Sequence, residues 1–286
     1  MDSIFTRIAQ ELSIRPQQVQ ASVALLDEGA TVPFISRYRK EVTGALDDTL
    51  LRNLEERLRY LREMEVRRST ILKSIDEQGK LSAELKHDIL SADTKTRLED
   101  LYLPYKQKRR TKGAIAIEAG LEPLANTLRE DPSQTPEALA TRFIDSEKGI
   151  ADTKAALDGA KYILMERFAE DANLINKVRT FLKQDGILSV RLVPGKEQEG
   201  AKFGDYFEHD EPLKNVPSHR ALAILRGRNE GVLSFSIATG DPTDKLTPSP
   251  CEAMIADHFS LKNEGRPADR WLHEVVRWTW RIKLLT

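Results

Sequence analysis

Between residues 2 and 185, apolar residues recur three and four positions apart, and no stretch alternates apolar and polar side chains as a half-buried strand does. Ile4, Ile8 and Leu12, for example, fall on one helical face. Glycines such as Gly29 stand where the pattern breaks, which is typical of helix ends. The sequence therefore predicts a mainly α fold, built as a multi-helix array.

One predicted helix is much longer than the others. Either Asp47 or Asp48 can cap its N-terminus, its apolar positions begin with Leu51 and Leu54, and Gly79 ends it after about Gln78. At about 1.5 Å per residue, such a helix spans roughly 40–45 Å. Its middle is polar nearly all round, so we expect it to project from one packed unit or to bridge two.

The pattern changes after residue 186. Residues 187–193 alternate and residues 232–238 form a second strand candidate, while residues 201–207, 218–228, 248–260 and 268–285 read as helices. We therefore expect domains at residues 1–80, 81–186 and 187–286. The last helix is apolar along one face and runs into the final residue without a cap, which predicts that the chain is cut from a longer one.

Composition excludes some classes of function. The chain has 44 basic and 45 acidic residues, so no overall field attracts nucleic acid, and binding must come from local patches. A single cysteine, Cys251, permits no internal disulfide, which fits a reducing cytoplasm. The N-terminus does not resemble a signal peptide, and no apolar run approaches the roughly 20 residues of a membrane span. We expect a cytoplasmic protein without a membrane partner.

The sequence offers no recognisable catalytic site. Acid and histidine residues adjoin at residues 87–88, 209–211 and 257–258, but none has paired metal-ligand spacing. Residues 195–200 place acids where a phosphate loop would hold phosphate oxygens, and Cys251 has no nearby histidine that would mark it as a nucleophile. We therefore predict that the chain is not an enzyme and needs neither a metal nor a cofactor.

Lysine and arginine gather at three places. The densest is the run at residues 106–112, where five of seven residues are cationic. Pro104 stops the preceding helix near Tyr102, so this run crosses a connection. It is either a phosphate-contacting turn or a solvated loop. The candidate nucleic-acid-binding residues are Arg37, Arg39, Lys40, Lys106, Lys108, Arg109, Arg110, Lys112, Arg220, Arg226 and Arg228.

The first basic group lies in a helix, glycine turn and short helix. Pro33 opens the short helix, which we expect to carry Phe34 and Ile35 inward. This outline is that of a helix-turn-helix and equally that of a helical hairpin packed for stability. Three tyrosines beside the basic groups offer stacking surfaces for bases, and two of them fit equally well as anchors in the core. They are Tyr38, Tyr102 and Tyr105, of which the last two are the possible anchors.

Several long motifs occur in the order found in one family. They are residues 29–41 (GATVPFISRYRKE), 101–112 (LYLPYKQKRRTK), 120–124 (GLEPL), 200–207 (GAKFGDYF) and 217–227 (PSHRALAILRG). Together they resemble the N-terminal region of the Tex family of bacterial transcription accessory proteins. The resemblance covers essentially the whole chain and implies a helical architecture. In that family an RNase H-like domain, helix-hairpin-helix motifs and an OB-fold RNA-binding domain follow, and the resemblance implies that this chain lacks them.

Two functions follow as hypotheses. The first is a non-catalytic scaffold that binds RNA or DNA without sequence specificity, with RNA polymerase or other transcription machinery as a further partner. The second is a protein-interaction module that docks the transcription machinery or the rest of its own chain and binds no nucleic acid itself.

Overall fold

A computed structural model describes residues 2–106, 110–239 and 249–285. It confirms a mainly α fold with a minor strand element after residue 186. The chain forms two compact units, Met1–Tyr102 and Leu103–Thr286. The domain boundaries expected at residues 80 and 186 stay predictions.

The first unit is helical throughout its described part. Its helices are α1 (Asp2–Leu12), α2 (Pro16–Asp27), α3 (Val32–Tyr38), α4 (Lys40–Thr43), α5 (Asp48–Glu77), α6 (Ala83–Ser91) and α7 (Lys95–Tyr102). The side chain of Asp47 accepts a hydrogen bond from the Leu50 amide at 2.8 Å and so caps α5. The predicted long helix is thus confirmed. Buried residues on its inner face, from Leu51 to Leu61, form one core with α1, α2 and α3.

Arg68 lies in the C-terminal half of α5, and its side chain is buried inside the first unit. Its Nε donates to the carbonyl of Ile89 at 3.1 Å and its Nη2 donates to the carbonyl of Ala92 at 2.6 Å. Glu65 pairs with the same guanidinium. The carbonyls at the end of a helix lack partners within it, and a cation there is favoured by the helix dipole. Arg68 therefore caps the C-terminus of α6.

The second unit is built around α11. Its helices are α8 (Lys112–Glu118), α9 (Glu122–Glu130), α10 (Pro136–Ala140), α11 (Thr153–Ala169), α12 (Ala172–Asp185), α13 (Ser218–Asn229), α14 (Pro250–His258) and α15 (Asp269–Trp278). Short 3-10 turns lie at Leu103–Tyr105, Thr141–Phe143, Ser146–Lys148, Ala201–Tyr206 and Leu213–Asn215. Helix α11 packs against α8, α9, α10 and α15, and its buried residues include Ile163, Leu164 and Phe168.

Lys161 is a charged residue inside this second core, with only 5% of its surface exposed. Its Nζ lies 3.1 Å from Glu274 Oε2 and 3.4 Å from Asp158 Oδ1. It also lies 4.3 Å from the ring centroid of Trp278. Because a buried ammonium is costly without partners, these contacts fix α15 against α11.

Three antiparallel strands follow α12. They are β1 (Ile187–Leu192), β2 (Glu208–Pro212) and β3 (Leu233–Ala238), in the order β2-β1-β3. Two strands were predicted and are confirmed, but β2 was not predicted. Its sequence, EHDEP, has no apolar residue to show alternation, and it lies at an edge of the sheet where charged residues discourage further pairing. Val190 of β1 is completely buried, so this sheet has its own small core.

Helix α10 ends at Ala140, and Asp145 beyond it is extended and pairs with Ile150 in an isolated bridge. The C-terminal helix follows α geometry to Trp278 and then widens into a π-helix over Thr279–Leu284. None of the described helices has the length and apolar character needed to cross a bilayer.

We expect Arg68→Leu to weaken the local stability of α6, since the carbonyls of Ile89 and Ala92 would lose buried donors. The expected loss is about 3 kcal/mol, equivalent to roughly a hundredfold faster amide exchange in α6. Hydrogen exchange followed by mass spectrometry measures this. Arg59→Leu, at an exposed position of the same helix, is the control and should leave α6 unchanged. Equal exchange in both variants would contradict the capping role.

Asp210 provides a pH-dependent contribution to the sheet. Hydrogen bonds from Arg191, at 2.9 and 2.7 Å, and from Ser189 lower the pKa of Asp210 to about 2. A carboxyl with a lowered pKa stabilises the fold above its unfolded pKa, near 3.8, and this stabilisation disappears as pH falls towards 2.

The stability difference between the wild type and Asp210→Asn should therefore be full at neutral pH, shrink below about pH 4 and vanish near pH 2. Urea unfolding followed by tryptophan fluorescence reports on the second unit, since Trp271, Trp278 and Trp280 all lie there. A difference that stays constant over this range would show that the ion pair contributes nothing.

Candidate nucleic-acid interface

The first predicted basic group lies on two short helices whose inner side is anchored in the core. Val32 and Ile35 are buried against α5. The helical conformation is interrupted between α3 and α4 at Arg39, whose φ is −133° and ψ 28°. Buried and exposed side chains alternate along α3 with the period of a helix. The residues on the opposite side of α3 are therefore directed away from this core.

The C-terminus of α4 is held by a glutamine from α2. Gln18 Nε2 donates to the carbonyl of Thr43 at 3.2 Å and to that of Gly44 at 3.0 Å. Gly44 has a φ of +64°, and a Cβ built there would lie 2.9 Å from Gln18 Nε2. A side chain at position 44 would thus be both strained and crowded. These contacts give the α3–α4 segment a fixed position on its unit.

The outer side of this segment combines aromatic rings with cations, and we call it the α3–α4 patch, comprising Phe34, Arg37, Tyr38, Arg39 and Lys40. Phe34 is 42% exposed and Tyr38 62% exposed, with ring centroids 5.4 Å apart. The guanidinium carbon of Arg39 lies 5.5 Å from the Phe34 ring centroid. Arg37 and Lys40 are exposed, and neither has an ion-pair partner within the described part of the chain.

The expectation that Phe34 points inward is wrong, while Ile35 is buried as expected. Helical spacing explains the difference, because Val32 and Ile35 are three residues apart on the core side, and Phe34 and Tyr38 are four apart on the other. Grouping Phe34 with Tyr38, four residues away, instead of with its neighbour Ile35 would have predicted the exposed aromatic pair from the sequence.

Chemically, the α3–α4 patch presents what a single nucleic-acid strand requires. Unpaired cations can neutralise phosphates and release counterions. Exposed aromatic faces can stack on bases of any sequence.

The predicted basic turn is only partly described. Lys108 and Arg109 lie outside the described residues. Lys106, Arg110 and Lys112 are exposed. Arg110 Nη2 lies 2.5 Å from Glu118 Oε2, and Lys112 Nζ lies 4.8 Å from the ring centroid of Tyr162. Arg110 and Lys112 thus have partners within the protein, but both side chains are exposed to solvent, where such interactions are weak.

A glutamate from α11 fixes the end of the basic turn. Glu166 Oε2 accepts a hydrogen bond from the Thr111 hydroxyl at 2.8 Å, and its Oε1 accepts one from the Gly113 amide at 3.3 Å. Lys283 Nζ lies 3.3 Å from the same carboxylate. Thr111 itself caps α8 by accepting from the Ala114 amide at 3.0 Å. A Cβ on Gly113 would overlap Glu166, which shows how closely the two segments approach.

The third group, on α13, is largely occupied by intramolecular contacts. Arg220 pairs with Glu211 of β2. Arg226 Nε lies 3.0 Å from Glu230 Oε1, and the guanidinium of Arg228 lies 4.8 Å from the ring centroid of Phe235. The structure therefore gives these three arginines roles within the second unit.

Two predicted stacking tyrosines differ from Tyr38 in their surroundings. Tyr102 is half-buried, its hydroxyl lies 3.1 Å from Ser74 Oγ, and the guanidinium of Arg67 lies 5.3 Å from its ring centroid. Tyr105 is half-buried as well. Of the three, only Tyr38 presents most of its ring to solvent.

The acid and histidine clusters differ in how they assemble. His258 pairs with Asp171 at 3.0 Å rather than with its neighbour Asp257, and His209 lies 3.3 Å from Glu211. Among the described residues, no three metal-ligating side chains form a group that could hold an ion. Burial raises the pKa of the Cys251 thiol to about 11 despite a hydrogen bond with Thr239, so little thiolate forms at neutral pH.

Comparison with known proteins gives consistent matches along the chain. Residues 2–76 match the family described as Tex-like protein N-terminal domain, and residues 131–286 match the family described as Tex central region-like. The chain is 62% identical over 286 residues to protein YhgF of Escherichia coli, covering 99% of this chain and 37% of that protein.

Two further relatives carry the Tex name. The chain is 53% identical to protein tex of Bordetella pertussis, with 99% of this chain and 36% of that protein covered. It is 54% identical to transcriptional accessory protein Tex of Neisseria gonorrhoeae, with 97% of this chain and 36% of that protein covered. The chain thus spans little more than a third of the length of these relatives.

Removing the Glu166 carboxylate should loosen the end of the basic turn. In Glu166→Ala the Thr111 hydroxyl and the Gly113 amide lose their acceptor, at a cost of about 2 kcal/mol. We expect faster limited tryptic cleavage after Arg110 and Lys112, read by mass spectrometry. Glu130→Ala, at an exposed position of α9, should cleave like the wild type. Unchanged cleavage in Glu166→Ala would show that the turn is held by other contacts.

Proposed function

The chain belongs to the Tex family, and from this premise we propose that it is a non-catalytic, nucleic-acid-associated scaffold of a transcription accessory factor. It contacts the backbone of RNA or DNA without sequence specificity. RNA polymerase or other transcription machinery is its further partner, and the cytoplasm is its location. The name of the Neisseria gonorrhoeae relative, transcriptional accessory protein, supports the association with transcription.

The observation that carries the proposal is the composition of the α3–α4 patch. Tyr38 and Phe34 expose their rings to water although both are large apolar groups. Exposed Arg37 and Lys40 flank them with no acid paired to either in the described part of the chain. Aromatic and cationic groups together favour a ligand that offers both flat rings and negative charge, and single-stranded nucleic acid offers both.

The contact would be electrostatic first and stacking second. The net charge of the chain is −1, so attraction arises only near clusters of unpaired cations. Each phosphate that Arg37 or Lys40 neutralises releases a counterion, which makes affinity depend on salt. Stacking on Tyr38 adds affinity that depends little on salt or on base identity. Sequence specificity is not expected, because phosphate contacts and ring stacking carry little information about base identity.

The proposal assigns no chemical step to this chain. The thiol of Cys251, the chain's single cysteine, is buried and its pKa is raised to about 11, which makes it a poor nucleophile. His258 is engaged with Asp171.

A second function, protein docking, is favoured by one observation on α13. Leu222 is 67% exposed and Leu225 44% exposed on this helix, while Arg220 and Arg226 are held in ion pairs. An exposed apolar pair beside neutralised charges suits a protein surface better than a polyanion. In this alternative the chain docks the transcription machinery or the rest of its own protein.

Fluorescence anisotropy with labelled single-stranded RNA and DNA at several salt concentrations tests the proposal. Arg37→Ala/Lys40→Ala should weaken binding and reduce the slope of log affinity against log salt by about 1.4, since two phosphate contacts are lost. Arg142→Ala/Lys154→Ala is the control, because it removes the same charge from exposed sites in the second unit. It should leave the slope unchanged.

Tyr38→Ala should lower affinity by about tenfold without changing the salt slope, whereas Tyr38→Phe should bind like the wild type. Absent binding, or binding that does not respond to salt, would reject the proposal and favour docking through α13. Salt-dependent binding that survives all these substitutions would show that the α3–α4 patch is not the contact.

A further inference from the structure

A cleft between α14 and α15 was not found by sequence reasoning. It has a volume of about 960 Å³ and is lined mainly by polar and charged side chains. Five cations and four acids contribute to its lining. The basic residues are spread over residues 262–281 at roughly helical spacing, too widely for a local run of charge to reveal them.

Most charges around the cleft are already neutralised. Arg266 donates to Asp269 Oδ1 at 3.0 Å and also pairs with Glu264 at 3.3 Å. Glu274 pairs with buried Lys161, and Glu252 lies 3.4 Å from Arg281. Asp269 and Glu274 are therefore engaged within the protein, whereas Glu252 Oε1 is buried without a hydrogen-bond partner among the described residues.

Asp269 shows that the floor of the cleft is rigid. It is buried, and its Oδ2 accepts hydrogen bonds from the amides of Glu264 at 2.8 Å and Arg266 at 2.9 Å. Burial acts to raise the pKa of Asp269, but the hydrogen bonds from Arg266 and these amides outweigh it and hold the pKa below its ordinary value. The loop between α14 and α15 is thus fixed before any ligand arrives.

The remaining charge in the cleft is positive. Lys262, Arg270 and Arg277 are exposed cations that have no ion pair with any residue the structure describes, and Asp257 is the acid left unpaired against them. Arg270 and Arg277 lie two turns apart on α15, about 10 Å along its axis. His273 stands between them, and its Nε2 is buried without a hydrogen-bond partner among the described residues.

We propose that the cleft between α14 and α15 binds phosphate groups, with Arg270, Arg277 and Lys262 as the contacting residues. Arginine forms paired hydrogen bonds with phosphate, and both guanidinium groups are exposed to make them. No Phe, Tyr or Trp lines the cleft, so contact with the phosphate backbone dominates over stacking on bases. The polymer as ligand rests on the proposed function, but the residues are separate from the α3–α4 patch.

The test compares Arg270→Ala/Arg277→Ala with the wild type in the whole chain, using a labelled oligouridine strand and, separately, inorganic pyrophosphate. The double variant should bind oligouridine at least about tenfold more weakly, because two charged hydrogen-bonding groups are lost. Its salt slope should fall by about 1.4. Arg142→Ala/Lys154→Ala again controls for net charge, and an unchanged melting curve controls for folding.

Asp257→Asn provides a gain-of-function arm, since it removes the unpaired acid of the cleft and should tighten oligouridine binding. Loss of pyrophosphate binding as well identifies a site for free phosphate compounds, whereas loss of oligouridine binding alone identifies the polymer backbone. Full oligouridine and pyrophosphate binding by the double variant overturns the inference. So does binding of a polyglutamate peptide in place of both.

The two proposals can fail independently. Loss of binding in the Arg270 and Arg277 variant with normal binding in the Arg37 and Lys40 variant would support the cleft and reject the α3–α4 patch. The opposite result would reject the cleft and leave the proposed function standing.

Discussion

A charge that leaves water needs a partner, and this requirement organises the chain. Arg68 enters the first unit because it supplies donors to the last carbonyls of α6. Lys161 enters the second because Glu274 and Asp158 receive it. Asp269 is buried beneath the cleft because Arg266 and two amides neutralise it. Each of these charges would be strongly destabilising if its partner were removed, so they fix how neighbouring helices meet.

The same requirement determines which cations remain free to bind a ligand. In a chain with nearly equal numbers of acids and bases, most arginines find an acid, as Arg220 does with Glu211 and Arg226 with Glu230. Whether a cation is available to a ligand therefore depends first on whether it lacks an acidic neighbour in the folded chain. The local density of basic residues in the sequence does not measure this. Arg37 and Lys40 meet this condition in the first unit, as do Arg270 and Arg277 in the second.

The sequence predicts the helices well because capping and periodicity are local. Asp47, one of the two residues expected to cap the long helix, does so, and Asp152 and Ser82 cap α11 and α6 in the same way. It fails where distant contacts decide. The strand β2 has no apolar residue and forms because β1 lies beside it. Among the predicted binding residues that the structure describes, the α3–α4 group lies together, exposed and beside exposed rings. Pairing of the α13 arginines with Glu211 and Glu230 depends on the folded chain. The cleft is formed by residues of two helices and the loop between them, so no sequence motif predicts it.

Lysine acetylation read by mass spectrometry, with and without a single-stranded oligonucleotide, separates lysines that contact the strand from lysines that are merely exposed. Lys40 and Lys262 should lose reactivity when the strand binds, exposed Lys154 should keep it, and buried Lys161 should be unreactive in both states. Reactivity of Lys40 and Lys262 that stays the same at saturating oligonucleotide would contradict the claim that the α3–α4 patch and the cleft are where the ligand binds.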